Sequence, residues 1–154
     1  MCGIPGGPPD ESADAMRARV LASFARQAMM ATLGAEVTSV TPGRVELSLR
    51  HNEQFTQQHG FLHAGAVGAV LDSACGYAAF SLMPPEAAVL TASYTINLLA
   101  PAAGQQFTMT GQVVRAGRTL TVCRGEAFTD GATTPFAIMQ ATMAAVYGQP
   151  GIQH

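Results

Sequence analysis

The segment HGFLHAGAVGAVLDSACGYAAFSLM, residues 59–83, restricts the possible folds more than any other part of the chain. Between Glu53 and Glu86 the one formally charged side chain is Asp72. A bilayer span needs about 20 mostly apolar residues, and a central aspartate costs it about 2.5–3.5 kcal/mol. Gly65, Gly68 and Gly76 add no hydrophobicity, and no basic residues flank the run. The run therefore predicts a long helix buried in a protein core and terminated by Pro84-Pro85. Each glycine in such a helix costs about 1 kcal/mol relative to alanine. Close approach of a sheet backbone to the helix backbone is the expected compensation. The carboxylate in its middle needs a separate explanation.

Upstream, DAMRARVLASFARQAMMATLG alternates apolar and basic positions at helical spacing, with Val20, Phe24 and Met30 among the apolar ones. It predicts one amphipathic helix ended by Gly34. AEVTSVTPGRVELSLR has two short alternating runs around Pro42-Gly43, which predicts a hairpin. After the apolar run the chain reads as extended to Tyr147. Leu90, Ala92, Tyr94, Ile96 and Leu98 alternate with Thr91, Ser93, Thr95 and Asn97, so one face is apolar and the other carries small polar groups. Ala116-Gly117 offers a turn, and Asp130-Gly131 is a hairpin signal before the last strand. The order is helix, two strands, one buried helix and about four antiparallel strands, an α+β architecture with a sheet wrapped around a helix. Residues 1–12 read as a Gly/Pro-rich tail without a signal-peptide pattern, 13–148 as one domain and 149–154 as a short C-terminal tail.

Composition excludes some functions. In 154 residues the net charge is −2, with no basic run, so a nucleic-acid footprint is absent. Charged residues make up 12%, about half the usual share. That deficit predicts a surface covered in part by another subunit. Cys2, Cys75 and Cys123 are odd in number and share no metal spacing, which fits a reducing cytoplasm. His51, His59 and His154 show no metal spacing either, and no metal is expected.

The pattern Gln57-x-x-Gly60-x-x-His63-Ala64-Gly65, followed by Asp72-x-Ala74, resembles the signature of the hotdog-fold acyl-CoA thioesterases of the phenylacetic-acid-degradation (PaaI-like) type. TASYTINLLAPAAGQ, residues 91–105, resembles the strand that follows in that family, and the similarity runs from about Glu36 to Tyr147. The resemblance implies a hotdog fold, two subunits joined edge to edge, and a homotetramer built from two such dimers. The family has His-Gly-Gly where this chain has His63-Ala64-Gly65, and many members have asparagine at Gln57. The family uses the backbone N–H at the position of Ala64, which alanine keeps. By the same analogy Thr91 holds the attacking water and Gln57 lies beside the substrate carbonyl.

Thioester hydrolysis needs donors for the carbonyl oxygen as it becomes an oxyanion, and a base or nucleophile on the other side of the carbon. A helix N-terminus supplies unpaired N–H groups and the positive end of a dipole, and Ala64 and Gly65 stand there. Asp72 then serves as general base for water, or as nucleophile. His63 orients the loop through a backbone contact. Arg115 and Arg118, with Gly117 and Thr119 at the same turn, could grip the phosphates of coenzyme A, which is part of the substrate and not a separate cofactor. Each residue has a plainer reading. Asp72 could cap a loop or pair with an arginine, His63 could be an ordinary cap, Thr91 one hydroxyl among several, and the arginines solvated.

The expected activity is hydrolysis of an aryl- or medium-chain acyl-CoA. The alternatives are a hotdog hydratase or dehydratase acting on acyl thioesters, and a non-catalytic acyl-CoA sensor. Helix geometry adds one expectation. Nine residues at about 100° each place His63 and Asp72 on opposite faces and about 13 Å apart along the axis. A carbonyl held at the helix start is then beyond the reach of Asp72 on the same helix, so the acid must serve a second, antiparallel subunit.

Overall fold

The computed structural model describes residues 11–152; residues 1–10, with Cys2 and most of the expected tail, and 153–154, with His154, lie outside the described residues. The elements are α1 (Ala13–Phe24), α2 (Ala28–Leu33), β1 (Glu36–Thr41), β2 (Arg44–Arg50), a 3₁₀ turn (Glu53–Phe55), α3 (Ala64–Phe80), β3 (Ala88–Leu98), β4 (Gln106–Arg115), β5 (Leu120–Thr129) and β6 (Ala137–Val146). All six strands form one antiparallel sheet in the order β1-β2-β4-β5-β6-β3. The sheet curves around α3, as the resemblance implies.

Alternation explains the core. Val45, Leu47 and Leu49 of β2, Phe107 and Met109 of β4, and Ala137, Met139, Ala141 and Met143 of β6 are buried against Val67, Val70, Leu71 and Ala74 of α3. The helix lies closest to the sheet at Gly111 of β4. A Cβ there would fall on the Ala74 carbonyl and lie 2.5 Å from the Cys75 amide nitrogen. At Gly125 of β5 a Cβ would meet the Cys75 Sγ at 3.1 Å. The glycines that permit close approach are therefore on the strands and not, as expected from sequence, on the helix. Gly76 has open space around its missing side chain.

The expected N-terminal helix is broken in two. Gln27 leaves helical geometry (φ −78°, ψ 99°), and its Oε1 accepts a hydrogen bond from Ser73 Oγ of α3 at 3.0 Å. A side-chain contact to the central helix replaces continued backbone bonding. Gly34 ends α2 in the left-handed conformation, φ 74°. Ser12 caps α1, and Glu11 pairs with Arg19 at 2.7 Å. Arg19 also donates to the carbonyls of Phe80 and Met83 and lies 4.4 Å from the Phe80 ring centroid. It thus adds a second donor to the Phe80 carbonyl, which already accepts the Met83 N–H, and satisfies the Met83 carbonyl just past the helix end. The helix stops at Phe80, before Pro84, because Leu82 and Met83 turn tightly onto Ala79 and Phe80. Pro84-Pro85 prevents resumption but is not the stop itself. The Asp130-Gly131 connection is likewise longer than a two-residue hairpin turn, running from 130 to 136.

β3 departs from its predicted alternation. A bulge between Thr91 and Ser93 inserts one extra residue against β6, with Thr91 opposite Met143 and Tyr94 opposite Ala141. Both partners are buried on the helix side. Thr91 therefore shares the helix-facing row with Tyr94, Ile96 and Leu98, whereas strict alternation would put it on the other face. β3 is also an edge strand, and Leu90, Tyr94 and Leu98 stay about half exposed, at 46%, 48% and 50%.

Candidate active site

The start of α3 is held by its own preceding loop. His63 N–H donates to the Phe55 carbonyl at 2.8 Å, and Gln57 N–H to that of Phe61 at 2.9 Å. Gly60 turns the loop with φ 83°, a conformation that favours glycine. His63 is the N-cap, and its Nδ1 accepts the Gly65 N–H at 2.8 Å. Its carbonyl takes the N–H groups of Ala66 and Val67. The Ala64 N–H has no acceptor among the described residues. Of the two donors expected from sequence, Ala64 is thus free, whereas Gly65 is occupied by the cap. Gln57 uses its side-chain oxygen to accept from His59 N–H, which leaves its NH₂ group available.

These groups border a cavity of about 540 Å³ lined by Gln57, Phe61, Ala64, Val67, Leu98 and Pro101, among others, with no charged side chain among the described residues of its wall. His59, Leu99 and Ala102 also line it. Sequence reasoning assigned none of these last three a role. The signal was the exposed apolar run Leu98-Leu99-Ala100-Pro101 at the end of a strand.

Asp72 lies at the other end of the helix-facing row. Thr91 Oγ1 donates to its Oδ1 at 2.8 Å, a contact made possible by the bulge. Burial pushes the Asp72 carboxyl above the ordinary carboxylate range, and the Thr91 hydrogen bond opposes that rise. No arginine pairs with it among the described residues, where the ion pairs are Arg19–Glu11 and Arg124–Glu126. Asp72 does not line the cavity at Ala64. Eight residues of helix separate the two, about 12 Å along the axis. One chain therefore holds these groups apart, an acid with its hydroxyl at one place along α3 and a free N–H with an apolar cavity at the other.

Arg115 ends β4, and Gly117, Arg118 and Thr119 follow in the exposed connection to β5. None of the four lines the cavity. Gly117 has a local reason of its own, because a Cβ there would lie 2.5 Å from the Leu120 carbonyl oxygen. The Thr119 carbonyl accepts from Ala145 N–H at 2.8 Å, tying the connection to β6. His51 reaches the Gly60 carbonyl at 3.1 Å.

A single helix wrapped by a six-stranded antiparallel sheet, with a capped helix start beside an apolar cavity, defines the class as the hotdog fold. The sequence profile of the Thioesterase superfamily matches residues 59–136, about half of the chain, and the chain belongs to that superfamily. A crystal structure of a thioesterase family protein from Silicibacter pomeroyi is 54% identical, with a TM-score of 0.83 covering 86% of this chain and 99% of that one. The PaaI protein of the phenylacetic acid degradation operon of E. coli is 22% identical; it shares the fold, with a TM-score of 0.81 over 90% of this chain and 99% of its own. A protein of Saccharolobus solfataricus that carries an esterase name is 32% identical over 90 residues, 58% of this chain and 64% of that relative. The match thus spans somewhat under two thirds of that relative's length.

Proposed function

We propose that the protein is an acyl-CoA thioesterase acting on aryl- or medium-chain acyl groups, with each site assembled from two antiparallel copies of the chain. The observation that carries this reading is the split between the Asp72–Thr91 pair and the free Ala64 N–H beside an uncharged cavity. In the assembled site the thioester carbonyl oxygen accepts from the Ala64 N–H, at the positive end of α3, and from the Gln57 amide. Asp72 of the other subunit takes a proton from water held by Thr91 as the oxygen attacks the carbonyl carbon. The tetrahedral intermediate collapses with cleavage of the C–S bond, and the CoA thiolate leaves and takes up a proton. Direct attack by Asp72 to form an anhydride is the second form of the same chemistry. His63 positions the helix start, and its ring accepts the Gly65 N–H, so Gly65 contributes its small size and not a donor. Arg115 and Arg118, with Gly117 and Thr119 shaping their turn, hold the phosphates of coenzyme A. The lining of the cavity favours acyl groups without charge, because a buried carboxylate or ammonium would find no oppositely charged side chain there.

Thiol release across a panel of acyl-CoA and acyl-carrier-protein substrates tests the activity. Asp72→Asn should fold, bind substrate and lose at least about 100-fold in kcat, since a positioned acid–base group contributes about 10²–10⁴. Near wild-type hydrolysis by that variant would refute the role of Asp72.

A further inference from the structure

We infer that Tyr94 stands on the two-fold axis of the assembled pair, against the partner subunit's Tyr94, and that these two rings form the wall between the two acyl cavities. This rests on the two-subunit reading of the site. If Asp72 of one copy serves Ala64 of the other, the antiparallel alignment of the two α3 helices is fixed. Residues equally distant from Ala64 and Asp72 then lie opposite themselves, and the midpoint is Gly68.

Gly68 is buried and has no side chain to present. The group within reach of it is the Tyr94 hydroxyl, 3.9 Å from where a Cβ at Gly68 would stand. Tyr94 is 48% exposed, and its hydroxyl has no hydrogen-bond partner among the described residues. Its position follows from the run of β3 beside α3. Thr91 bonds to Asp72, Tyr94 reaches Gly68, and Leu98 shares the cavity wall with Ala64. Tyr94 thus lies between the base and the cavity, one helical turn, about 6 Å, from each along α3. The strand itself is open to a second copy. Its 11 residues hold no charge and no proline, the usual devices that protect a sheet edge. A half-exposed phenol at the centre of an unprotected edge is placed to meet its own symmetry mate.

The test is a symmetric cross-link in the full chain carrying Cys2→Ser, since Cys75 and Cys123 are buried and burial raises both thiols. Tyr94→Cys under copper–phenanthroline oxidation should give a disulfide-linked dimer at least about tenfold faster than Asn97→Cys or Gln112→Cys; only a position near a two-fold axis pairs readily with itself. Equal rates, or no link at Tyr94→Cys, would overturn the placement. If Tyr94→Cys does not fold, photo-oxidation of the wild-type protein with peptide mapping reads the same pair: a Tyr94–Tyr94 dityrosine is expected, and its absence refutes the placement. For the wall, Tyr94→Ala should raise kcat/KM for longer acyl chains relative to short ones by at least about tenfold, while Tyr94→Phe keeps the wild-type preference. An unchanged length preference in Tyr94→Ala would remove the wall. None of the cross-linking readouts needs activity, so failure here leaves the two-subunit site to be judged separately by mixed dimers.

Discussion

Replacing Thr91 by valine removes one hydroxyl while keeping the β-branched shape that suits a strand. In the structure that hydroxyl donates to Asp72 Oδ1 at 2.8 Å and lies 3.5 Å from the Met143 sulfur. A hydrogen bond to a charged group is worth about 1.5–3 kcal/mol, so its loss should lower kcat/KM by about 10- to 150-fold. The sign of the pH effect follows from the same contact. The bond favours the ionised carboxylate, so removing it moves the Asp72 titration further upward, by about one pH unit for each 1.4 kcal/mol lost. The acid limb of the pH profile of kcat/KM, which reports the base in the free enzyme, should shift to higher pH in Thr91→Val and stay near its wild-type position in Thr91→Ser. The profile can be followed by thiol release with a chromogenic disulfide below neutral pH. A Thr91→Val enzyme with a reduced rate but an unmoved acid limb would refute the coupling to Asp72.

Gly111→Ala should cost about 3 kcal/mol or more, read as a loss in urea midpoint, because its Cβ would collide with helix backbone and not with a side chain that can move. Arg19→Met should cost about 2 kcal/mol at pH 7 through the lost bonds to Glu11 and to the end of α3. Arg19 holds the Glu11 carboxyl below its ordinary 4.5, so that part of the stability is present above pH 4.5 and is lost as the pH falls through the lowered value. The gap between wild type and Arg19→Met should therefore narrow in denaturation at low pH. Arg118→Ala should raise KM for CoA esters and spare pantetheine esters, which lack the nucleotide phosphates; equal losses for both would leave Arg118 a structural residue.

The fold was largely legible because hydrophobic period and turn chemistry are local. The long apolar run, with Asp72 as its one charged residue, pointed to a buried helix, and Pro42-Gly43 to a turn. What the sequence hid depends on tertiary contacts. The break at Gln27 follows from Ser73, 46 residues away. The bulge at Ala92 is invisible in a pattern that alternates on both sides of it, yet it decides which face carries Thr91. At the site, the nine-residue spacing of His63 and Asp72 was enough to raise the expectation of a site shared by two chains. That His63 would occupy the Gly65 N–H, leaving Ala64 free, needed the ring's position. The cavity residues Phe61, Leu98 and Pro101 carry no chemical signature of their own and became visible only where the loop and the strand end meet.

The shared site is tested most directly by mixing two inactive subunits. Ala64→Pro removes the free N–H and is compatible with the first helical position, and His63 already has the extended geometry required before proline. Asp72→Asn removes the base. Each variant alone should be nearly inactive. When the two are co-expressed with random pairing, about half the dimers are mixed, each with one intact site under two-fold symmetry, and activity should return to about one quarter of wild type. Mixed dimers confirmed by mass, yet no more active than the separate variants, would contradict a site built across two subunits.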